Sequence, residues 1–353
     1  YKTIKYIVPV EVVEHTDSVN ALADVDTTTV APTEGQTVKW NGTNWVPGDI
    51  EESASGTQKA LFGFGYRDDY TVTNVTNLVS SSGVVATDTT GVGTARQDLA
   101  ASGYGGDKAI FGFGGSSSET NISNLVSNAG VVATDTTGVG TARFGLAASG
   151  YGSTGQAIFG FGATSGGYHS VTNLVSNAGV VASDTTGVGT GRQDLAASGY
   201  GGDKAIFGFG FISANSNITN LVSNTGVVAS DSTGVGTARE RLAAAGYGGD
   251  KAIFGFGHGP SFNTYTNITN LVSNLGVVAS DTTGVGTARQ YLAAAGYGGD
   301  KAIFGFGGVN ISYELNSYNI TNLVSNTGVV ASDTTGVGTA RASLAAASFS
   351  LTA

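Results

Sequence analysis

The sequence predicts an all-β protein that contains six copies of one structural unit. The string KALFGFG at Lys59 returns as KAIFGFG at Lys108, and related strings follow four more times, at spacings of 47 to 50 residues. Glycine accounts for 56 of the 353 residues, and each glycine inside a helix would cost about 1 kcal/mol. Because no long amphipathic helical pattern interrupts the repeats, we expect β-strands in every unit.

Each unit is predicted to contain four short strands, separated by Gly, Asn, Ser and Asp. In order they are strand A (LAAAGYG), strand B (AIFGFG), strand C (TNLVSN) and strand D (GVVASDT), with a GGDK turn between A and B. Four strands in about 40 to 50 residues is the period of a β-propeller blade. The small residues of strand A suit the innermost position, and the Ile and Phe of strand B suit packing between blades.

The two ends of the chain are complementary. The first unit begins at strand B, with Ala60, and has no strand A before it, whereas the chain ends with a strand A that has no strand B after it. We therefore expect a six-bladed propeller in which Leu344 to Phe349 supplies the missing strand of the first blade. This pairing would remove the exposed sheet edge that an open array leaves.

Residues 1 to 54 differ from the repeats, since they contain three of the four prolines and both tryptophans. Ile4 to Val13 alternates as a strand does, and the segment Trp40 to Trp45 places two aromatic residues across an Asn-Gly turn, which predicts a hairpin. We therefore predict two domains: an N-terminal β module and attachment stalk at 1–54, and the propeller at 55–353. Tyr1 in place of Met leads us to expect an upstream segment.

Charge and composition argue against several classes of function. The 26 acidic residues outnumber 16 basic ones, for a net charge of −10, so we expect no binding to nucleic acid or to acidic membrane surfaces. The absence of Cys excludes disulfides and thiol catalysis. No apolar run approaches the roughly 20 residues of a membrane-spanning helix, and we expect neither membrane insertion nor a cofactor.

An aspartate and an arginine recur eight residues apart in every unit and invite a metal-site or anion-site interpretation. Calcium would need six to eight oxygen ligands, and each unit offers one carboxylate. We favour a structural role, in which Asp caps its own turn and Arg ties neighbouring blades together. The pairs are Asp88 and Arg96, Asp135 and Arg143, Asp184 and Arg192, Asp231 and Arg239, Asp281 and Arg289, and Asp333 and Arg341.

No pattern in the chain predicts an enzyme. There is no G-x-S-x-G motif to present a nucleophile, and His15, His169 and His258 lack the spacing of zinc ligands. A glycan-degrading enzyme would need paired carboxylates facing one cleft. The variable segments supply only Asp68, Asp69, Glu119 and Glu314 for that role.

The connections between strands B and C vary most among the six units. We call them the variable loops: Tyr66 to Thr76, Gly115 to Ser123, Ala163 to Thr172, Phe211 to Thr219, His258 to Thr269, and Gly308 to Thr321. Neutral drift could produce such variation, but the loops are rich in Tyr, Phe, His and Asn, as recognition loops are. The predicted ligand-binding residues are Tyr66, Arg67, Tyr70, Tyr168, His169, Phe211, His258, Phe262, Tyr265, Tyr313 and Tyr318.

Two segments resemble known virion proteins. Ala21 to Asp49, which contains PTEGQTVKWNGTNWVPGD, resembles a module of tail-fibre and other virion appendage proteins of tailed bacteriophages, particularly marine ones. The repeats resemble the kelch-like repeats attached to such proteins, although they contain no Trp.

This resemblance implies a virion structural protein, a tail fibre or spike on the particle surface, whose propeller loops bind a host receptor. The partners would be a host cell-surface glycan or protein and, through the N-terminal module, other virion proteins. The resemblance to fibres also allows a homotrimer. The alternative is a capsid or tail decoration protein that binds no receptor.

Overall fold

A computed structural model describes residues 36–40, 45–49, 58–311 and 314–350. The chain divides into two compact units, Tyr1–Ser53 and Ala54–Ala353. The regular secondary structure in the described ranges consists of β-strands, which confirms the all-β prediction. Those ranges contain no helix long and apolar enough to cross a membrane.

The first unit contains the hairpin predicted around the two tryptophans. Strands β1 (Gln36–Trp40) and β2 (Trp45–Asp49) pair antiparallel, with Trp40 opposite Trp45. The strand predicted at Ile4 to Val13 lies outside the described residues.

The second unit contains six antiparallel three-stranded sheets within its described residues, each with strand B between strands A and C. The strands A are β5 (Ala100–Tyr104), β8 (Ala147–Tyr151), β13 (Ala196–Tyr200), β16 (Ala243–Tyr247), β19 (Ala293–Tyr297) and β24 (Ala345–Ser350). The strands B are β3 (Gln58–Gly63), β6 (Lys108–Gly112), β9 (Gln156–Gly160), β14 (Lys204–Gly208), β17 (Lys251–Gly255) and β20 (Lys301–Gly305). The strands C are β4 (Thr76–Val79), β7 (Ser123–Val126), β12 (Thr172–Val175), β15 (Thr219–Val222), β18 (Thr269–Val272) and β23 (Thr321–Val324). Two variable loops add small hairpins, β10 (Ala163–Thr164) with β11 (Gly167–Tyr168), and β21 (Gly308–Ile311) with β22 (Glu314–Ser317).

The prediction of a fourth strand was wrong, because segment D forms only isolated bridges to strand C. In the first sheet these bridges pair Val79 with Val85 and Thr76 with Thr89. Between the two bridges, the side-chain amide of Asn77 donates to the carbonyl of Ala86 at 3.0 Å and so takes the place of a backbone ladder bond. The Asn77 side chain and a few backbone hydrogen bonds, such as the Ala86 N–H to the Leu78 carbonyl at 2.8 Å, therefore hold segment D where a continuous strand was expected.

The C-terminal strand pairs with the first strand B, as predicted. Six residues of β24 pair with β3, from Ala345 opposite Gly63 to Ser350 opposite Gln58. The strands A also contact one another in sequence: β5 contacts β8, and contacts continue through β13, β16 and β19 to β24, which contacts β5.

Strand B supplies the core between neighbouring sheets. The ring of Phe111 in one sheet lies 5.1 Å from the ring of Phe64 in the preceding sheet, and five equivalent pairs have nearly the same spacing. A Cβ on Gly63 would lie 2.9 Å from the Phe111 ring. The glycine that ends strand B is therefore needed for the aromatic ring of the next sheet to fit.

Candidate functional site

A buried arginine joins each pair of neighbouring sheets. Arg143 donates from Nε to the carbonyl of Phe161 at 2.7 Å and from Nη2 to Oδ1 of Asn173 at 2.7 Å. Its guanidinium lies 4.4 Å from the ring centroid of Phe113 in the preceding sheet. Burial lowers the pKa of Arg143 to about 10, so the side chain stays charged at neutral pH. The arginine links neighbouring sheets, as predicted.

The recurring aspartate does not cap its own turn, and that expectation was wrong. Oδ2 of Asp184 accepts from the Oγ1 hydroxyl of Thr141 at 2.6 Å, and Oδ1 accepts from the Asn173 amide at 2.9 Å. Burial alone would raise the pKa of Asp184, but these hydrogen bonds outweigh it and lower the pKa. The aspartate fastens segment D to the chain that enters the same sheet.

These carboxylates are occupied by protein donors. In the described ranges, no three His, Cys, Asp or Glu side chains lie close enough together to hold a metal ion.

The variable loops touch one another in series. Four hydrogen bonds and one aromatic pair link neighbouring loops. The rings of Tyr168 and Phe211 lie 6.2 Å apart. The hydrogen bonds run from the Ser165 N–H to Glu119 Oε1 at 2.7 Å, from the Asn215 amide to the His258 carbonyl at 2.8 Å, from the Asn310 N–H to the Tyr265 hydroxyl at 2.9 Å, and from the Ser317 N–H to Asp68 Oδ1 at 2.9 Å. Isolated bridges such as Gln193 with Phe211 join the loops to the connections that lead into strand A. The two connections therefore lie side by side, as the alternating strand direction predicts.

The predicted binding residues fall into an exposed group and a supporting group. Tyr70 is 61%, Tyr168 41% and Phe262 76% exposed. The partly buried members are Tyr66, Arg67, His169, Phe211, His258, Tyr265 and Tyr318. Tyr313 lies outside the described residues. Three exposed aromatic side chains are thus available for contact, whereas others, such as Tyr265, support a neighbouring loop.

Sequence reasoning missed a ring of six residues, each two positions after a buried arginine. We call Asp98, Gly145, Asp194, Arg241, Tyr291 and Ser343 the central ring. The backbone N–H of each member donates to the carbonyl of the preceding member at 2.8 to 3.0 Å, and Asp98 donates to Ser343, so the series returns to its start. All six residues have φ between 52° and 61°.

The central ring surrounds a small pocket of about 70 Å³, together with the leucine that follows each member. Nε of Arg241 lies 3.4 Å from Oδ2 of Asp194, and its Nη1 lies 3.5 Å from Glu240 Oε1. The guanidinium also lies 4.6 Å from the Tyr291 ring centroid. The pocket therefore combines a cation, carboxylates and an aromatic ring.

Burial dominates the electrostatics of this pocket. It raises the pKa of Asp194 to about 7, against the lowering effect of Arg241. It also raises the pKa of Asp98, although a hydrogen bond with Ser343 and the charge of Arg241 act in the opposite direction. Burial by itself would lower the pKa of Arg241, but the surrounding groups, Tyr291 first, raise it. The guanidinium therefore stays charged while the carboxyls are drawn toward the neutral form.

A signal for the ring was present in the sequence. Two residues lie between the recurring Arg and the recurring Leu of each unit, and both vary; the second is Asp, Gly, Asp, Arg, Tyr and Ser in the six units.

A larger cavity of about 390 Å³ lies beside the A–B turns. Glycines of the strands A line it, including Gly103, Gly150 and Gly199, with Ser348 at the equivalent place in β24. Lysines at its edge are paired locally, as in Lys204 with Asp203 at 2.6 Å. The charges of the A–B turns are thus satisfied within each turn.

Comparison with known protein families finds no family model that matches the chain, and comparison with curated proteins finds no match either. The chain's own residues therefore carry the functional proposal.

Proposed function

We propose that the protein is a bacteriophage virion structural protein, a tail fibre or spike, whose larger unit binds a glycan on the host surface. The observation that carries this proposal is the series of touching variable loops on a nearly invariant frame. Tyr70, Tyr168 and Phe262 supply exposed aromatic faces on those loops, and such faces suit sugar rings. The resemblance of Ala21 to Asp49 to virion appendage modules supports the same conclusion.

We further propose that the larger unit is a closed six-bladed β-propeller with kelch-like repeats. The pairing of β24 with β3 supports closure, as does the unbroken series of hydrogen bonds in the central ring. Two contacts between the end and the start of the unit give further support: Thr339 Oγ1 donates to Asp88, and Arg341 Nη2 donates to Asn77 Oδ1 at 2.7 Å.

Under this proposal, the N-terminal module binds other virion proteins, and the protein resides on the surface of the particle, with a homotrimer as one form of assembly. The proposal includes no catalytic step. The loop carboxylates support this, because Asp68 accepts from Ser317, Glu119 from Ser165, and Asp69 from Thr71. In these contacts the three carboxylates hold loop segments in place.

Attachment of the labelled chain to intact bacterial cells tests this function. The full-length chain is incubated with a panel of marine bacterial strains, and cell-bound fluorescence is measured. We expect at least one strain to bind, and we expect Tyr70→Ala with Phe262→Ala to weaken binding at least tenfold, because truncating an aromatic anchor costs about 2 kcal/mol or more.

Asp250→Ala in an A–B turn serves as the control and should leave attachment unchanged. If the labelled chain binds isolated virions but attaches to no bacterial strain, the result would favour the decoration role instead.

A further inference from the structure

The central ring lies among the bases of the variable loops. The residue before a ring member forms a bridge with the first residue of a loop, as Gln97 does with Gly115 and Gln193 with Phe211. The pocket inside the ring is therefore adjacent to the connections from which the variable loops begin.

The side chains of the ring are not required by the backbone that carries them. Gly145 makes the same backbone hydrogen bonds as its five counterparts. It also has a positive φ, at 61°, which glycine adopts without strain and other residues adopt at a cost. Asp98, Asp194, Arg241 and Tyr291 thus occupy positions whose backbone conformation favours glycine. Their side chains call for another explanation.

The polar groups around Arg241 are only partly satisfied. Gln290 is fully buried, and its Oε1 accepts from Arg241 Nη1 at 3.3 Å. Its Nε2 has no hydrogen-bond partner within the part of the chain that the structure describes. Asp194 receives long hydrogen bonds, at 3.4 Å from Arg241 and 3.3 Å from Gln193. Of these groups, Asp194 and Arg241 line the pocket, and the long hydrogen bonds of Asp194 leave its carboxyl able to bind a polar ligand.

The pocket contains both hydrogen-bond donors and hydrogen-bond acceptors, which indicates the kind of ligand group that it would bind. A simple cation could not accept a hydrogen bond from Arg241, and an anion would be repelled by Asp98 and Asp194 whenever these are ionised. A hydroxyl group both donates and accepts. The pocket volume of about 70 Å³ exceeds the roughly 10 to 15 Å³ that a single water needs by the same measure, so hydroxyl groups have room to enter.

We propose that the central ring binds two adjacent hydroxyl groups of a terminal sugar residue, while the exposed loop aromatics contact the rest of the glycan. In this arrangement the hydroxyls donate to Asp98 and Asp194 and accept from Arg241. The inference rests on the proposed function, since it names the part of the receptor that the loop face recognises.

The test measures binding of the full-length chain to an array of bacterial capsule and lipopolysaccharide oligosaccharides. Half of the array is treated with periodate, which cleaves adjacent hydroxyl pairs. The variants are Asp194→Ser and Asp98→Ser. Serine is chosen because it already occupies one position of the ring, at Ser343. Asp250→Ser, the same change in an A–B turn, is the matched control. Melting temperatures show that each variant is folded.

We expect the wild-type chain and the Asp250→Ser control to bind a set of untreated glycans and to lose them after periodate treatment. Each ring variant should bind the same glycans at least tenfold more weakly, with a melting temperature no lower than that of the wild type.

Three outcomes would overturn the inference: no glycan bound by the wild type, binding that survives periodate, or ring variants that bind as well as the wild type. If ring variants bind normally while Tyr70→Ala with Phe262→Ala loses cell attachment, the inference fails and the proposed receptor-binding function stands. If the wild type also attaches to no cell, both fail.

Discussion

At the scale of single residues, buried charge is the unusual feature of this protein. Each recurring arginine is fully buried or nearly so, with its guanidinium between a phenylalanine ring of one sheet and the backbone of the next. Removing one partner of such an arrangement leaves buried polar atoms without hydrogen bonds, which costs more than the arrangement itself contributes. The arginines are therefore sensitive points of the fold.

We expect Arg192→Ala to destabilise the larger unit by about 3 to 5 kcal/mol, the range for breaking a buried charged contact. The change would leave Asn220 Oδ1 and the Phe209 carbonyl without their donor, and it would remove the stacking on Phe161 at 4.2 Å. Urea denaturation measures the effect. Lys204→Ala, which removes an exposed cation paired within its turn, should change stability by less than about 1 kcal/mol. Equal effects of the two changes would contradict this role for Arg192.

The central ring predicts an unusual dependence of stability on pH. Burial raises the pKa of Asp194 to about 7, so the folded state holds this proton more tightly than the unfolded chain, whose Asp has a pKa of about 3.9. The stabilisation from Asp194 is complete below the unfolded pKa and is lost as pH rises toward 7.

As pH rises from 4 to 8, the unfolding free energy of Asp194→Ser should therefore increase relative to that of the wild type. The increase is up to about 1.4 kcal/mol for each pH unit by which folding raises the pKa of Asp194. Unfolding free energies of both proteins at the two pH values measure the gain. A constant difference across this range would show that Asp194 does not titrate in it.

At the scale of the elements, one asparagine of strand C organises segment D. Asn173 is fully buried; its amide donates to the Ala182 carbonyl at 3.0 Å and to Asp184 at 2.9 Å, and its Oδ1 accepts from Arg143. Equivalent asparagines make the Ala and Asp contacts in the other five sheets. Segment D is thus attached by these side chains together with a few backbone hydrogen bonds, such as the Ala182 N–H to the Leu174 carbonyl at 2.8 Å.

Asn173→Ala should destabilise the larger unit by at least about 1 to 3 kcal/mol, the cost of leaving a buried polar partner unsatisfied. It should also increase hydrogen exchange at Ala182 and at Thr185, which follows Asp184. Asn326→Ala, which removes one exposed contact with Asp300 at 3.1 Å, provides the comparison and should be close to neutral. Exchange that stays unchanged in segment D would show that the isolated bridges suffice to hold it.

At the scale of the whole larger unit, the pairing of β24 with β3 joins the two ends of the repeat region. Its hydrogen bonds span the entire unit in sequence, and Phe349 of β24 is buried in the core together with Leu61 and Phe111. Such a contact makes the stability of the first sheet depend on the last strand.

Deletion of residues 341–353 should therefore lower stability by several kcal/mol, because an unpaired sheet edge and an opened core would result. Thermal unfolding measures the loss. A synthetic peptide of the deleted residues should restore part of it, whereas a scrambled peptide should not. An unchanged melting temperature after the deletion would contradict the closed arrangement.

Much of the fold follows from local pattern. The recurring AIFGFG strings identify strand B, the Asn-Gly turn predicts the hairpin at Trp40 and Trp45, and the unmatched strands at the two ends predict the pairing of β24 with β3. These features can be predicted because periodicity and turn residues depend on a few neighbouring residues. The unmatched strands at the two ends can be recognised by comparing the repeats with one another.

Other features were decided by tertiary structure, because their partners are distant in the chain. Asp184 meets Thr141, 43 positions away, and Asp88 meets Thr339, 251 positions away; no local pattern distinguishes these contacts from capping of a nearby turn. The central ring forms because packing of the sheets brings one residue of each unit together. The sequence by itself determined strands A, B and C of each unit and the end-to-end pairing. The packing of six sheets decided where the buried charges lie, since burial and the distance between side chains depend on which sheets become neighbours.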